Sequence, residues 1–151
     1  MEASSNHSSS HTVCIQGGIV IDPGHMNGRA DVLIQNGKIV EVGYPLKHSV
    51  DDEASVTIID AGGCIVSPGL VDLHCHLREP GFEYKETIQT GSASAVAGGF
   101  TSICCMPNTQ PVNDNAAITQ FMLTKGQEAG KARIFPIGAI TKNSEGEELA
   151  N

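Results

Sequence analysis

The sequence predicts an α/β fold with parallel strands, preceded by a small β-sheet unit. Two observations carry this reading. Between Thr12 and Val66, β-branched runs alternate with glycine turns, and one Asn-Gly pair sits between two such runs. After Ser67-Pro68-Gly69 the pattern becomes strand, helix, strand, helix, strand, the order of parallel βα units. An open doubly wound sheet and a closed barrel both begin this way, so periodicity leaves the two open.

The elements follow in order. Val13, Ile15, Ile19, Val20 and Ile21 read as strand, interrupted at Gly17-Gly18. Asp31–Gln35 and Lys38–Val42 flank Asn36-Gly37. That pair predicts a type I′ hairpin, because both central residues need positive φ. Asp51-Asp52-Glu53 reads as a loop, and Val56–Ile59 and Cys64–Val66 as short strands around Gly62-Gly63. Leu70–His76 reads as the first strand of the second unit. A helix over Glu83–Ala97 should stop at Gly98-Gly99, and Thr101–Met106 is an apolar strand. Asn115–Ala129 is a second helix, capped by Asn113 or Asp114 and ended by Gly130. Ala132–Ile137 is a third strand, and Glu145–Asn151 looks like the start of a third helix. The expected organisation is a disordered Ser-rich tail over 1–11, a β unit over 12–66 and an α/β unit over 67–151.

Composition narrows the partners. Seventeen acidic against nine basic residues give a formal charge of −8, which argues against nucleic acid and anionic membranes. No apolar run approaches the roughly 20 residues of a membrane helix, and the N-terminus lacks a signal-peptide pattern. Five cysteines, Cys14, Cys64, Cys75, Cys104 and Cys105, form no C-x-x-C pair. An odd number with adjacent members reads as reduced, mostly buried thiols in a cytoplasmic protein. His7 and His11 read as solvated tail residues.

Chemistry concentrates after Gly69. Asp72, His74 and His76 alternate with Val71, Leu73 and Cys75, so in a strand they share one side. Two imidazoles facing one way at a strand end suit a metal ion, which takes nitrogen ligands at about 2.0–2.1 Å. An H-x-H alone is a weak signal, with even odds of chance. Asp72 could orient a ligating His or accept from backbone amides.

The surrounding residues sharpen the signal. The stretch Gly69-Leu70-Val71-Asp72-Leu73-His74-Cys75-His76-Leu77-Arg78-Glu79-Pro80-Gly81 resembles the dihydroorotase signature of the amidohydrolase superfamily. Gly98-Gly99-Phe100-Thr101, Met106-Pro107-Asn108-Thr109 and Tyr84-Lys85-Glu86-Thr87 fit the same family, as does the β prelude before Pro68-Gly69. The resemblance covers everything after the tail. It implies an incomplete (β/α)8 TIM barrel, its first three βα units, preceded by a small β-sheet or β-sandwich domain. It also implies a zinc-dependent hydrolase that interconverts N-carbamoyl-L-aspartate and L-dihydroorotate.

Carried over by motif, His74 and His76 bind one or two Zn2+ ions, and His76, Arg78 and Asn108 line the substrate, with Arg78 and Asn108 on its carboxylate. Arg offers a planar fork for a carboxylate and Asn an amide donor. The plain alternatives are an Arg78 ion pair with Glu79 or Glu83, and Asn108 as a turn residue after Pro107. No catalytic residue is expected in this chain. The family's acid–base Asp and remaining ligands fall later, at positions that Glu145, Glu147 and Glu148 do not occupy. The expectation is therefore a fragment or one piece of a longer chain. An allantoinase or hydantoinase is one alternative. A non-catalytic scaffold partnering aspartate transcarbamoylase is another, and a homodimer is the simplest assembly.

Overall fold

The computed structural model describes residues 11–47 and 56–150. The first ten residues, with His7, and the Asp51-Asp52-Glu53 segment lie outside the described residues, as does Asn151. The chain divides into two compact units, Met1–Pro68 and Gly69–Asn151.

The first unit is a five-stranded sheet. Its strands are β1 (Thr12–Asp22), β2 (Met26–Gln35), β3 (Lys38–Gly43), β4 (Val56–Asp60) and β5 (Ile65–Val66). The order is β3-β2-β1-β4, and β5 also pairs with β1. The hairpins β1–β2 and β2–β3 are antiparallel, whereas β4 and β5 run parallel to β1. Asn36 and Gly37 take φ of 51° and 75°, the positive pair a type I′ turn requires. His11, expected in the tail, is already tied to the sheet. Its carbonyl accepts from the Asn36 N–H at 3.0 Å.

Gly17-Gly18 does not interrupt β1 but bulges it. The register against β2 slips between Ile15 and Gly18, and the Gly17 N–H donates to Asp31 Oδ1 at 2.8 Å. The first half of β1, Thr12–Gln16, pairs with β4, and Ile19–Val20 pair with β5. A Cβ on Gly18 would lie 2.6 Å from Val66 Cγ2, so the bulge brings β5 closer than a side chain allows. Val20, Ala30 and Val32 form the local core, flanked by Ile15, Ile34 and Val66.

The second unit is mixed α/β. Strands β6 (Leu70–Cys75), β7 (Phe100–Cys105) and β8 (Arg133–Pro136) form a parallel sheet in that order. Helix α1 (Ile88–Ala97) links β6 to β7, and α2 (Ala116–Ala129) links β7 to β8. Leu77, Ile88, Ile103, Cys105, Met122, Ala132 and Ile134 form the core between helices and sheet. Small residues permit the close fit. A Cβ on Gly91 would meet Leu77 Cδ2 at 2.4 Å, and one on Gly126 would meet Ile134 Cγ1 at 2.6 Å.

Three helix expectations need correction. Helix α1 starts at Ile88, not Glu83. Thr87 is its N-cap, accepting the Thr90 N–H at 3.1 Å while Thr90 Oγ1 accepts the Thr87 N–H at 3.0 Å. This reciprocal box fixes the start, and the preceding residues are spent in turns onto the Phe82 carbonyl. Helix α2 is capped by Asn115, which accepts from Ala117 and Ile118, not by Asn113 or Asp114, whose side chains are committed elsewhere. The third helix does not form from Glu145, so the third βα unit lacks its helix among the described residues. Lys142–Ser144 make one 3-10 turn, and Thr141 bridges back to Leu149. Positive φ at Asn143, Ser144 and Gly146 bends the chain away from helical continuation. The expected stops hold: Gly98 closes α1, and Gly130 closes α2 in the left-handed conformation.

All five cysteines are free thiols. Cys14 and Cys105 are buried, Cys75 and Cys104 half-buried, and Cys64 exposed, so "mostly buried" fails for Cys64. Among the described residues no helix is long and apolar enough to cross a membrane.

Candidate functional site

The site is built at the C-terminal end of β6, where the last strand residues meet the loop toward α1. His74 is exposed and His76 half-buried. Their ring centroids lie 5.3 Å apart at an interplanar angle of 66°, so the two imidazoles do share one side. Asp72 accepts the His74 backbone N–H at 3.0 Å and bonds to neither ring. Of its two readings, the backbone one is what the geometry realises.

His76 has a second partner. Its Nδ1 lies 2.9 Å from Asn108 Oδ1. An amide oxygen only accepts, so Nδ1 is the donor in this contact, and in the neutral ring the lone pair then falls on Nε2. That is the state a ligating histidine needs. The ring nitrogens of His74 make no hydrogen bond among the described residues. Two imidazoles therefore fit two positions of a metal site. No third His, Cys, Asp or Glu joins them among the described residues, whereas zinc takes four ligands. Cys75, between them in sequence, is not a ready thiolate. Burial, reinforced by Asp72, pushes its thiol up to about 11, and Sγ donates to the Cys104 carbonyl at 3.4 Å.

Asn108 sits in a loop held from within. The Pro107 carbonyl accepts from the Thr109 and Asn113 amides at 2.8 and 3.0 Å. The buried Thr109 hydroxyl donates to the Pro111 carbonyl at 2.8 Å. Asn108 is the middle residue of this turn after Pro107, as the plain alternative has it, and its side chain also meets His76. The loop is also fastened to the one after β6. The Gln110 N–H donates to the Pro80 carbonyl at 2.9 Å, and a Cβ on Gly81 would fall 2.1 Å from the Gln110 carbonyl oxygen. With φ of 95° as well, Gly81 answers to both conformation and space.

Arg78 is half-buried with φ of 50°. Its guanidinium pairs with no carboxylate among the described residues. The two suspected partners are engaged with backbone instead. Glu79 accepts the Ile88 N–H at 2.8 Å, beside the start of α1. Glu83 accepts the Gly81 N–H at 2.8 Å, and that bond holds its carboxyl below the ordinary value. The loops carrying Arg78 and Asn108 are joined through Pro80 and Gln110, leaving Arg78 as an uncommitted cation on that pair.

Residues 63–151 match the family model described as dihydro-orotase-like. The chain belongs to that family. A dihydroorotase from Syntrophotalea carbinolica is 51% identical over 139 residues, covering 91% of this chain and 32% of that protein. One from Pelobacter propionicus is 53% identical over 137 residues, covering 90% and 31%. Among solved structures, the L-hydantoinase (dihydropyrimidinase) from Arthrobacter aurescens superposes with a TM-score of 0.70 at 26% identity, covering 85% of this chain and 28% of that one. The chain spans about a third of the length of the curated relatives it matches.

Within this dihydroorotase-like chain, sequence reasoning missed the residues that hold the site together. Asn113 is the clearest. It is fully buried, donates to the Ile137 carbonyl at 2.9 Å and accepts from Thr119 Oγ1 at 2.8 Å. It ties the Asn108 loop to α2 and to the segment after β8. Its only sequence signal was membership of the run Asn113-Asp114-Asn115, which read as capping. The Tyr84–Thr87 motif likewise turns out to shape its loop. Lys85 Nζ lies 5.3 Å from the Phe82 ring centroid, and Thr87 caps α1.

Proposed function

We propose that the protein is a dihydroorotase, closing N-carbamoyl-L-aspartate to L-dihydroorotate with loss of water, and the reverse, in pyrimidine synthesis. The observation that carries this is the 2.9 Å bond between His76 and Asn108. It joins the strand-end histidines to the Met106-Pro107-Asn108-Thr109 loop, so two motifs 32 residues apart meet in one place. Relatives named dihydroorotase at about half identity support the same reading. The parallel unit fits the opening of a (β/α)8 barrel, with residues 12–66 as a β domain that precedes it in the chain.

In this reading His74 and His76 hold zinc through their free nitrogens. A zinc ion held there would supply Lewis acidity for the amide carbonyl and for a water. Arg78 takes the substrate carboxylate by two parallel hydrogen bonds, and the Asn108 amide N–H donates to the same group. The resemblance places the remaining ligands and the acid–base Asp later in the family's chain. Cytoplasmic location accords with the free thiols. A homodimer, or an assembly with aspartate transcarbamoylase, is the partner expectation carried by the resemblance.

The structural likeness to an L-hydantoinase favours a second reading, hydrolysis of another cyclic amide. Turnover of dihydroorotate against hydantoin by the intact protein separates them. Dihydroorotase predicts preference for dihydroorotate, and in Arg78→Lys a loss of about 10–100-fold in kcat/KM, the worth of one charge-assisted hydrogen bond. Equal turnover of both substrates, unchanged in Arg78→Lys, contradicts it.

A further inference from the structure

We propose that Asn108 is a positioning residue for His76. Its amide oxygen selects the ring tautomer that presents Nε2 as a lone pair, while its amide nitrogen stays available to substrate. The inference deepens the zinc reading and rests on it for its purpose, though not for its geometry.

The two histidines are unequal in a way their shared H-x-H motif conceals. His76 Nδ1 faces Asn108 Oδ1 at 2.9 Å, whereas the His74 ring nitrogens have no hydrogen-bond partner among the described residues. A neutral imidazole exchanges between two tautomers, and an acceptor fixed at one nitrogen selects between them. The Asn108 side chain is itself exposed, but the backbone that carries it is held. Its loop is closed on the Pro107 carbonyl, braced by the buried Thr109 hydroxyl, and fastened to the neighbouring loop at Gln110 and Pro80. The ring of His76 is therefore set before any metal arrives, and that of His74 is not. An amide suits the position because it is bifunctional. With Oδ1 used on the ring, the Nδ2 protons remain for a carboxylate, which a second acceptor could not serve.

The test uses two substitutions in the intact protein and begins without metal. In metal-free wild type above pH 8, long-range 1H–15N spectra should show His76 protonated at Nδ1 and His74 as a mixture of tautomers. Asn108→Ala should return His76 to a mixture and weaken zinc binding by about 10–100-fold, as loss of a partner behind a ligating histidine does. Asn108→Asp keeps an acceptor oxygen. It should restore the tautomer and zinc affinity to wild type or tighter, yet raise KM, because a carboxylate repels the substrate's own. Unchanged His76 tautomer and unchanged zinc affinity in Asn108→Ala would overturn the inference. Wild-type protein that takes up no zinc, while the His76 tautomer still follows residue 108, would sink the zinc reading and leave the positioning role standing.

Discussion

The two units treat their polar side chains differently. In the β unit the half-buried Asp31 and the exposed Asp60 are both used by the fold. Asp31 accepts the bulge amide of Gly17, and Asp60 accepts from Gly62 at 2.9 Å. In the α/β unit most polar residues near the strand ends are used likewise. Glu79 accepts the Ile88 N–H, Thr87 and Asn115 cap helices, and Asn113 ties three segments. The exceptions are His74, the Nε2 face of His76, and Arg78. These are held by the end of β6 and the loop fastened after it, but are not consumed by them. A site shows itself where side chains are positioned by structure and left with bonding capacity, and we read no such group of three among the described residues of the β unit.

Matched glycines put that contrast to its hardest trial. Gly81→Ala drives a Cβ to 2.1 Å from the Gln110 carbonyl oxygen at φ of 95°. Gly18→Ala meets Val66 Cγ2 at 2.6 Å. Each substitution should destabilise its own unit, by about 1–3 kcal/mol for strain or overpacking, read from denaturant melts. Only Gly81→Ala should also separate the loops of Arg78 and Asn108, lowering kcat/KM of the intact protein by about 100-fold, the scale of a misplacement near 1 Å. Equal losses of activity in the two variants would erase the distinction between the units.

Asn113→Ala is the next largest. It leaves the Ile137 carbonyl and Thr119 hydroxyl without their buried partner, which costs roughly 1–3 kcal/mol. Because Asn113 also anchors the loop bearing Asn108, the variant should raise KM as well as lower the unfolding midpoint. A stability loss with wild-type KM would show that the loop holds without it.

How much of this was legible in the sequence depends on the reach of each signal. Local signals were read well. Asn36-Gly37 demanded positive φ and obtained it, and Gly130 closes α2 as expected. The alternation of His74 and His76 put both rings on one side because strand periodicity admits nothing else. Signals that need a distant partner were misread. Gly17-Gly18 looked like a break, since nothing near it in sequence discloses that Asp31 accepts its amide and Val66 crowds it. Asn113 looked like a cap because its true partners, Thr119 and Ile137, are set by tertiary packing. The helix expected from Glu145 failed for another reason. Of the positive-φ residues there, only Gly146 lies inside the expected helix, and Thr141 bridges to Leu149 in place of helical bonds. The Arg78 and Asn108 assignments came by family resemblance. What geometry adds is the His76–Asn108 bond and the absence of a carboxylate partner for Arg78 among the described residues.

The smallest expected effect is one of pH. Asp114 accepts the Asn143 N–H at 2.9 Å and the Asn115 amide at 2.8 Å, and those bonds hold its carboxyl below its ordinary value of 3.8. A depressed carboxyl contributes stability that is complete above the ordinary value and fades as pH falls through the folded one. The loop after β8 should therefore loosen in acid, below about pH 4, and Asp114→Asn should loosen it at neutral pH. Amide exchange at Asn143 reads both. Protection at Asn143 in Asp114→Asn equal to wild type at neutral pH would remove the role given to Asp114.

The central claim is that the uncommitted side chains at the end of β6 hold a metal ion. X-ray absorption at the zinc edge, with elemental analysis, tests it directly on the intact protein. Wild type should bind zinc with imidazole scattering in its first shell, and the double variant His74→Ala, His76→Ala should lose both the metal and that signature. Zinc content and imidazole scattering unchanged in the double variant would contradict the account, because the metal would then be held by residues other than these two.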